Sequence, residues 1–158
     1  KGRTNWYDLG ERLAAKINCN YQIDEIMRFF VSDKPFIVSD NFQEIHYTEN
    51  HILLAASCNS IFSQLNANIL GRTNFGDGLL KIQTYEVANM LIPNPKFFTK
   101  EIEDTIYKAK LLSLKSADRE ALDKIIAKNL GLSDIEFDSL NEAVELMILD
   151  RSNKAQSG

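Results

Sequence analysis

The hydrophobic period of the chain changes at Glu49, and that change limits the possible folds more than any other feature. Within Ile23 to Thr48, "IMRFFVS", "PFIVS" and "FQEIHYT" are short aromatic and β-branched runs, a composition that predicts strands. Asp33-Lys34 and Asp40-Asn41 separate them and predict tight turns. Asp40-Asn41 is the better turn, because both residues tolerate left-handed backbone and their side chains close Asx turns. The expected product is a small antiparallel sheet. Ahead of it, "WYDLGERLAAKINC" mixes aromatic and helix-forming residues.

Beyond Glu49, the residues Ile52, Leu53, Ala56, Ile61, Phe62, Leu65 and Ile69 recur at helical intervals up to Gly71. They predict a single long helix of about five turns, ended by Gly71 as a left-handed cap. A loop containing Gly76 and Gly78 follows, then "LLKIQTYEV" as a strand or two. Pro93-Asn94-Pro95 cannot continue a ladder and marks a boundary. The remainder predicts about three helices: "FTKEIEDTIYKAKLLSL" with Thr99 as its cap, "SADREALDKIIAKNLGL" ending at Gly131, and "SDIEFDSLNEAVELMILDRS". The expected fold is therefore α+β. Residues 1–95 would form a sheet-and-helix domain, and residues 96–158 a helical extension packed on it.

With 158 residues, 44% of them hydrophobic, the chain is long enough to bury a core and short enough for one domain or one plus an appendage. Cys19 and Cys58 lack metal-type spacing and read as buried thiols in a reducing compartment. No window approaches the roughly 18 apolar residues of a membrane span, and no export signal is present, so a cytoplasmic location and no membrane partner are expected. The sequence begins at Lys1 without an initiator methionine, which suggests a piece of a longer polypeptide. The net charge of −4 is evenly spread: residues 1–95 hold 8 basic and 10 acidic groups, leaving 10 and 12 for residues 96–158. Bulk charge does not attract phosphate, so any nucleic-acid contact must come from a local patch.

A glycine loop that holds a nucleotide or S-adenosylmethionine follows a strand and opens a helix, where free amides face the ligand. Here the order is reversed. Asn94-Pro95 lacks the second proline of an adenine-methylase turn, and no other catalytic motif is found. His46 and His51 have no triad partners and read as surface residues. Trp6 and Tyr7 read as an anchor packed on the core. Asp134, Glu136, Asp138 and Glu142 do not follow the ligand order of a calcium loop, so no metal site is expected. Arg72, Thr73 and Asn74 offer donors to phosphate or to base edges. The alternative is that Arg72 answers the helix dipole and Asn74 shapes the turn.

The order of segments resembles the C-terminal target-recognition region of adenine-specific (N6) DNA methyltransferases of restriction-modification systems. The resemblance rests on Trp6-Tyr7, Asp40-Asn41-Phe42, Asn59-Ser60, Gly71-Arg72, Gly76, Gly78, Leu80-Lys81-Ile82, Ile92-Pro93-Asn94-Pro95 and the closing "DRSNKAQS". Cys58 stands where that family usually has Leu. The resemblance implies a fragment that binds double-stranded DNA for a catalytic methyltransferase domain of the same polypeptide. That domain would supply S-adenosylmethionine chemistry, with no cofactor in this segment. It also implies Arg72, Thr73, Asn74 and Lys81 as leading DNA contacts, with Arg28, Lys34 and Asn41 second. A rival function is a helical interaction module, with the segment after Pro95 docking a partner subunit.

Overall fold

Ala15, Ile17 and Cys19 share one buried face of a segment paired on both sides, where Asn18 is buried too, and that central position makes it a strand although Ala and Lys favour helices. Burying Ile17 contributes about 2 kcal/mol, whereas helix propensity differences amount to a few tenths. The computed structural model describes residues 13–73, 78–108 and 116–156. Its strands are β1 (Ala15–Asn20), β2 (Gln22–Ile23), β3 (Phe29–Phe36), β4 (Phe42–Ile45) and β5 (Leu80–Lys81). β1 lies between β3 and β4 in an antiparallel sheet, with Cys19 opposite both Phe29 and Gln43, while β2 and β5 form a separate antiparallel pair.

The helices are α1 (His51–Cys58), α2 (Ile61–Leu70), α3 (Thr84–Ala88), α4 (Lys100–Lys108), α5 (Ser116–Asn129) and α6 (Asp134–Gln156), with a 3-10 turn at Pro95–Phe97. The architecture is α+β, as the sequence predicts. The three helices after Pro95 fall on the three expected segments. Thr99 holds the start of α4 through its carbonyl, which accepts from Glu103 N at 3.0 Å. Ser133 and Glu136 cap α6 reciprocally, with Ser133 N donating to Glu136 Oε2 at 2.8 Å and Glu136 N donating to Ser133 Oγ at 3.3 Å.

Four local expectations are corrected. The single long helix is two, because the backbone turns extended at Ser60, just after Asn59 closes α1. Asn59 turns its amide onto the sheet, accepting from Phe29 N at 3.0 Å and donating to Phe29 O at 2.8 Å. The new N-terminus at Ile61 is covered by Asp123 of α5, whose carboxylate accepts from Ile61 N at 2.9 Å. Burial of Asp123 pushes its pKa up to about 6, with the Ile61 amide and Arg119 pulling the other way.

Asp33-Lys34 is no turn: β3 continues through it. Ala15 pairs with Phe36 and Ile17 with Val31, so the segment between bulges out of register. Pro35 is tolerated there because β3 is an edge strand. Asp40-Asn41 does turn, with Phe42 N donating to Ser39 O at 3.1 Å. "LLKIQTYEV" yields only the short β5, followed by α3. Gly71 is not left-handed, since its φ is −71°. A Cβ there would sit 2.6 Å from Leu80 Cγ and 2.7 Å from Ala67 O, so the demand is close packing. Among the described residues the left-handed glycines are Gly78 (φ 68°) and Gly131 (φ 85°).

Three apolar clusters connect these elements. The sheet, α1, α2 and β5 share Ile17, Cys19, Ile23, Met27, Leu54, Cys58, Leu80 and Ile82. Leu53 and Ala56 of α1 pack with Ile102 and Ile106 of α4 and Leu122 and Ile126 of α5. Ile61 of α2 packs with Ala127, Phe137 and Val144. Helices before and after Pro95 thus share two of the three clusters. Cys19 and Cys58 are free buried thiols, and burial pushes each up to about 12. Among the described residues no helix is long and apolar enough to cross a membrane.

Candidate nucleic-acid interface

The close approach of Gly71 to Leu80 draws the end of α2 against β5, and this contact creates the corner. Arg72 and Lys81 then pair as an antiparallel bridge, Arg72 N donating to Lys81 O at 2.9 Å and Lys81 N to Arg72 O at 3.0 Å. Two cations nine residues apart in sequence become backbone neighbours. Thr73, exposed, continues directly from the bridge. Asn74 lies outside the described residues.

Each cation leans on a tyrosine. Lys81 Nζ lies 4.4 Å from the centroid of Tyr21, and the Arg72 guanidinium lies 5.7 Å from that of Tyr85. Arg72 Nη2 also pairs with Glu86 Oε1 at 2.9 Å and donates to the Tyr85 hydroxyl, which in turn donates to Glu86 Oε1 at 3.2 Å. Glu86 is buried and its Oε2 accepts from Gln83 N at 2.7 Å, so one carboxylate holds the start of α3 and orients Arg72 together. The Arg72 side chain keeps 49% of its surface exposed, so the guanidinium is steered without being enclosed. Gln83 Nε2 donates to Tyr21 Oη at 3.1 Å, linking the two halves.

Asn41 belongs to the same end of the sheet. Its carbonyl accepts from Tyr21 N at 3.0 Å, and Ile82 N donates to Tyr21 O at 3.2 Å, so the backbone of Tyr21 ties the β4 turn to β5. Arg28 is next to this end: its amide donates to Asn20 Oδ1 at 2.7 Å, and its carbonyl accepts from Asn20 N at 3.3 Å. The charge of Arg28 is felt by Arg119 of α5, whose pKa is lowered by burial first and by Arg28 in addition. Lys34 is not brought into the group. It sits in the β3 bulge, beside the Ala15 end of β1.

The remaining sequence candidates fall elsewhere. Trp6 and Tyr7 lie outside the described residues. His46 is exposed, 3.7 Å from Glu44 Oε2. His51 is half-buried rather than a surface residue, and burial together with nearby Lys16 lowers its pKa. Asn59-Ser60, prominent in the resemblance, is structural. Reading single residues misses Tyr21, Tyr85 and Glu86, since their relation to Arg72 and Lys81 exists only once β5 and α2 meet. The "TYE" run beside Gln83 carries a helix-start signal, an acid three residues after a polar cap. No protein-family model, curated protein or solved structure matches the chain.

Proposed function

We propose that this chain recognises double-stranded DNA, positioning it for an S-adenosylmethionine-dependent adenine methyltransferase domain of the same polypeptide. The observation that carries this reading is the backbone bridge that sets Arg72 and Lys81 side by side, each braced on a tyrosine. Braced cations lose less side-chain freedom on meeting a phosphate, and Arg can also address guanine by two parallel hydrogen bonds. The ordered resemblance to target-recognition regions supports the same reading. Arg72, Thr73, Lys81, Asn41 and Arg28 are the proposed contacts grouped at one end of the sheet, and Lys34 would reach only DNA that extends along it.

A random duplex library passed over the immobilised chain tests the idea. Enrichment of a defined motif, weakened by Arg72→Ala, is expected. Binding without any sequence enrichment, or indifference to Arg72, removes target recognition.

A second reading has its own observation. On α6, Ile135, Leu146 and Leu149 are 80%, 56% and 54% exposed, on the side away from buried Phe137 and Val144. They support docking of a partner subunit, and a chain that stays monomeric and ignores its parent's catalytic domain would argue against it.

A further inference from the structure

Arg151, near the end of α6, does not face solvent. It is 7% exposed and inserts its guanidinium among backbone carbonyls from two distant segments. Nη1 donates to Ile23 O at 3.4 Å, Asp24 O at 2.9 Å and Gly78 O at 3.0 Å, and Nη2 donates to Glu25 O at 3.2 Å. Ile23 ends β2, and Gly78 leads into β5, the two strands of the small pair. Gly78 has φ 68°, a backbone conformation that glycine adopts at no steric cost.

Carbonyl oxygens converging on one point repel each other and, once buried, need donors. A planar guanidinium with five donors satisfies several at once, where the ammonium of lysine is a point charge without the fork. Remove it, and the segment after Ile23 and the approach to β5 lose their common partner. β5 carries Lys81, which in turn fixes Arg72 through the backbone bridge.

We infer that Arg151 is a positioning residue: the terminal helix reaches across the fold and sets where β5, and with it the Arg72–Lys81 corner, stands relative to β2. The consequence for DNA rests on the proposed function, whereas the clamp itself does not. The C-terminal helix therefore acts on the recognition corner without touching the ligand.

Native-state amide exchange on the full chain tests the clamp. In Arg151→Ala, the amides of Lys81 and Ile82, which donate to Arg72 O and Tyr21 O, exchange about tenfold faster. Those of Phe29 and Leu54, held by Asn59 Oδ1 and Asn50 O, keep their wild-type rates. Millimolar ethylguanidinium, filling the vacated space, restores protection at Lys81 and Ile82 alone. Uniform acceleration, no acceleration, or no local rescue overturns the inference. Should the alanine variant fail to fold, Arg151→Lys is the substitute, and wild-type exchange rates at Lys81 and Ile82 in it likewise overturn the clamp. Duplex titration of the same proteins separates the two ideas: a wild-type chain without DNA affinity removes the proposed function and leaves the clamp to stand on exchange.

Discussion

Two groups of polar side chains flank α2, and they treat water differently. Asn59 and Gln64 each close a pair of hydrogen bonds with one residue's backbone: Asn59 with Phe29, and Gln64 with Met27 at 2.8 Å for both bonds. Phe29 opens the edge strand β3 and Met27 lies two residues before it, so two amides hold the approach to that edge where a further strand would pair. At the other end of α2, Arg72 keeps half its surface exposed, with Lys81 beside it and the Tyr85 ring 56% exposed. The first group completes the fold. The second is held in place with donors still facing solvent, the arrangement expected of a binding surface.

The comparison breaks first at Gln64. Gln64→Leu strands the buried amide and carbonyl of Met27 and is expected to lower stability by about 4 kcal/mol, read as a shift in the urea midpoint. A loss no larger than that of an exposed substitution would mean the edge is not closed by side chains.

Asp123 sharpens the same comparison, because it too is a polar group inside the fold, serving the broken helix. Its folded pKa is about 6, against an ordinary value of 3.8 for the unburied carboxyl. A raised pKa means that the stability linked to the neutral carboxyl is complete below pH 3.8 and lost as pH rises through about 6. Asp123→Asn keeps an acceptor for Ile61 N and does not ionise. Relative to wild type, its stability should rise between pH 4 and 7 by on the order of 3 kcal/mol. Parallel pH profiles for the two proteins would deny the burial effect.

Gly71→Ala tests how the corner is built. A Cβ pressed against Leu80 and the Ala67 carbonyl is expected to cost about 2 kcal/mol and to loosen the amide of Lys81. An unaltered exchange rate there would show that the close approach is not what joins α2 to β5.

The smallest expected stability effect belongs to the second group. Lys81→Ala should change stability by less than about 1 kcal/mol, since its contact with the Tyr21 ring lies at the surface, and Arg72→Ala by about 1 to 2 kcal/mol, since it takes a charged partner from buried Glu86. A cation that pairs with one phosphate should, on removal, flatten the salt dependence of duplex binding by about 0.9 in slope. A large stability loss with an unchanged slope would move these residues into the structural group.

The same division explains what could be read in advance. The helical periods after Pro95, the Asp40-Asn41 turn, the Thr99 cap and the stop at Gly131 depend on neighbours in sequence, and all were legible. The break at Asn59-Ser60 was not, because the Asn59 side chain bonds Phe29, 30 residues away, and Asp123 caps the new start from 62 residues away. Arg72 and Lys81 were legible as donors. Their tyrosine supports, and the exclusion of Lys34 from the group, were invisible without the strand register.

Local chemistry alone therefore determined that the segments after Pro95 coil, where several of them begin and end, and that Arg72 would offer an exposed donor. Only tertiary packing decided that Ala15–Asn20 is the centre of the sheet, that one apolar helical stripe becomes two helices, and that Arg151 grips Gly78 across 73 residues. The physical reason is that buried backbone groups must find partners. In a fold with short strands and an open sheet edge, those partners come from side chains far along the chain, beyond the reach of any local pattern.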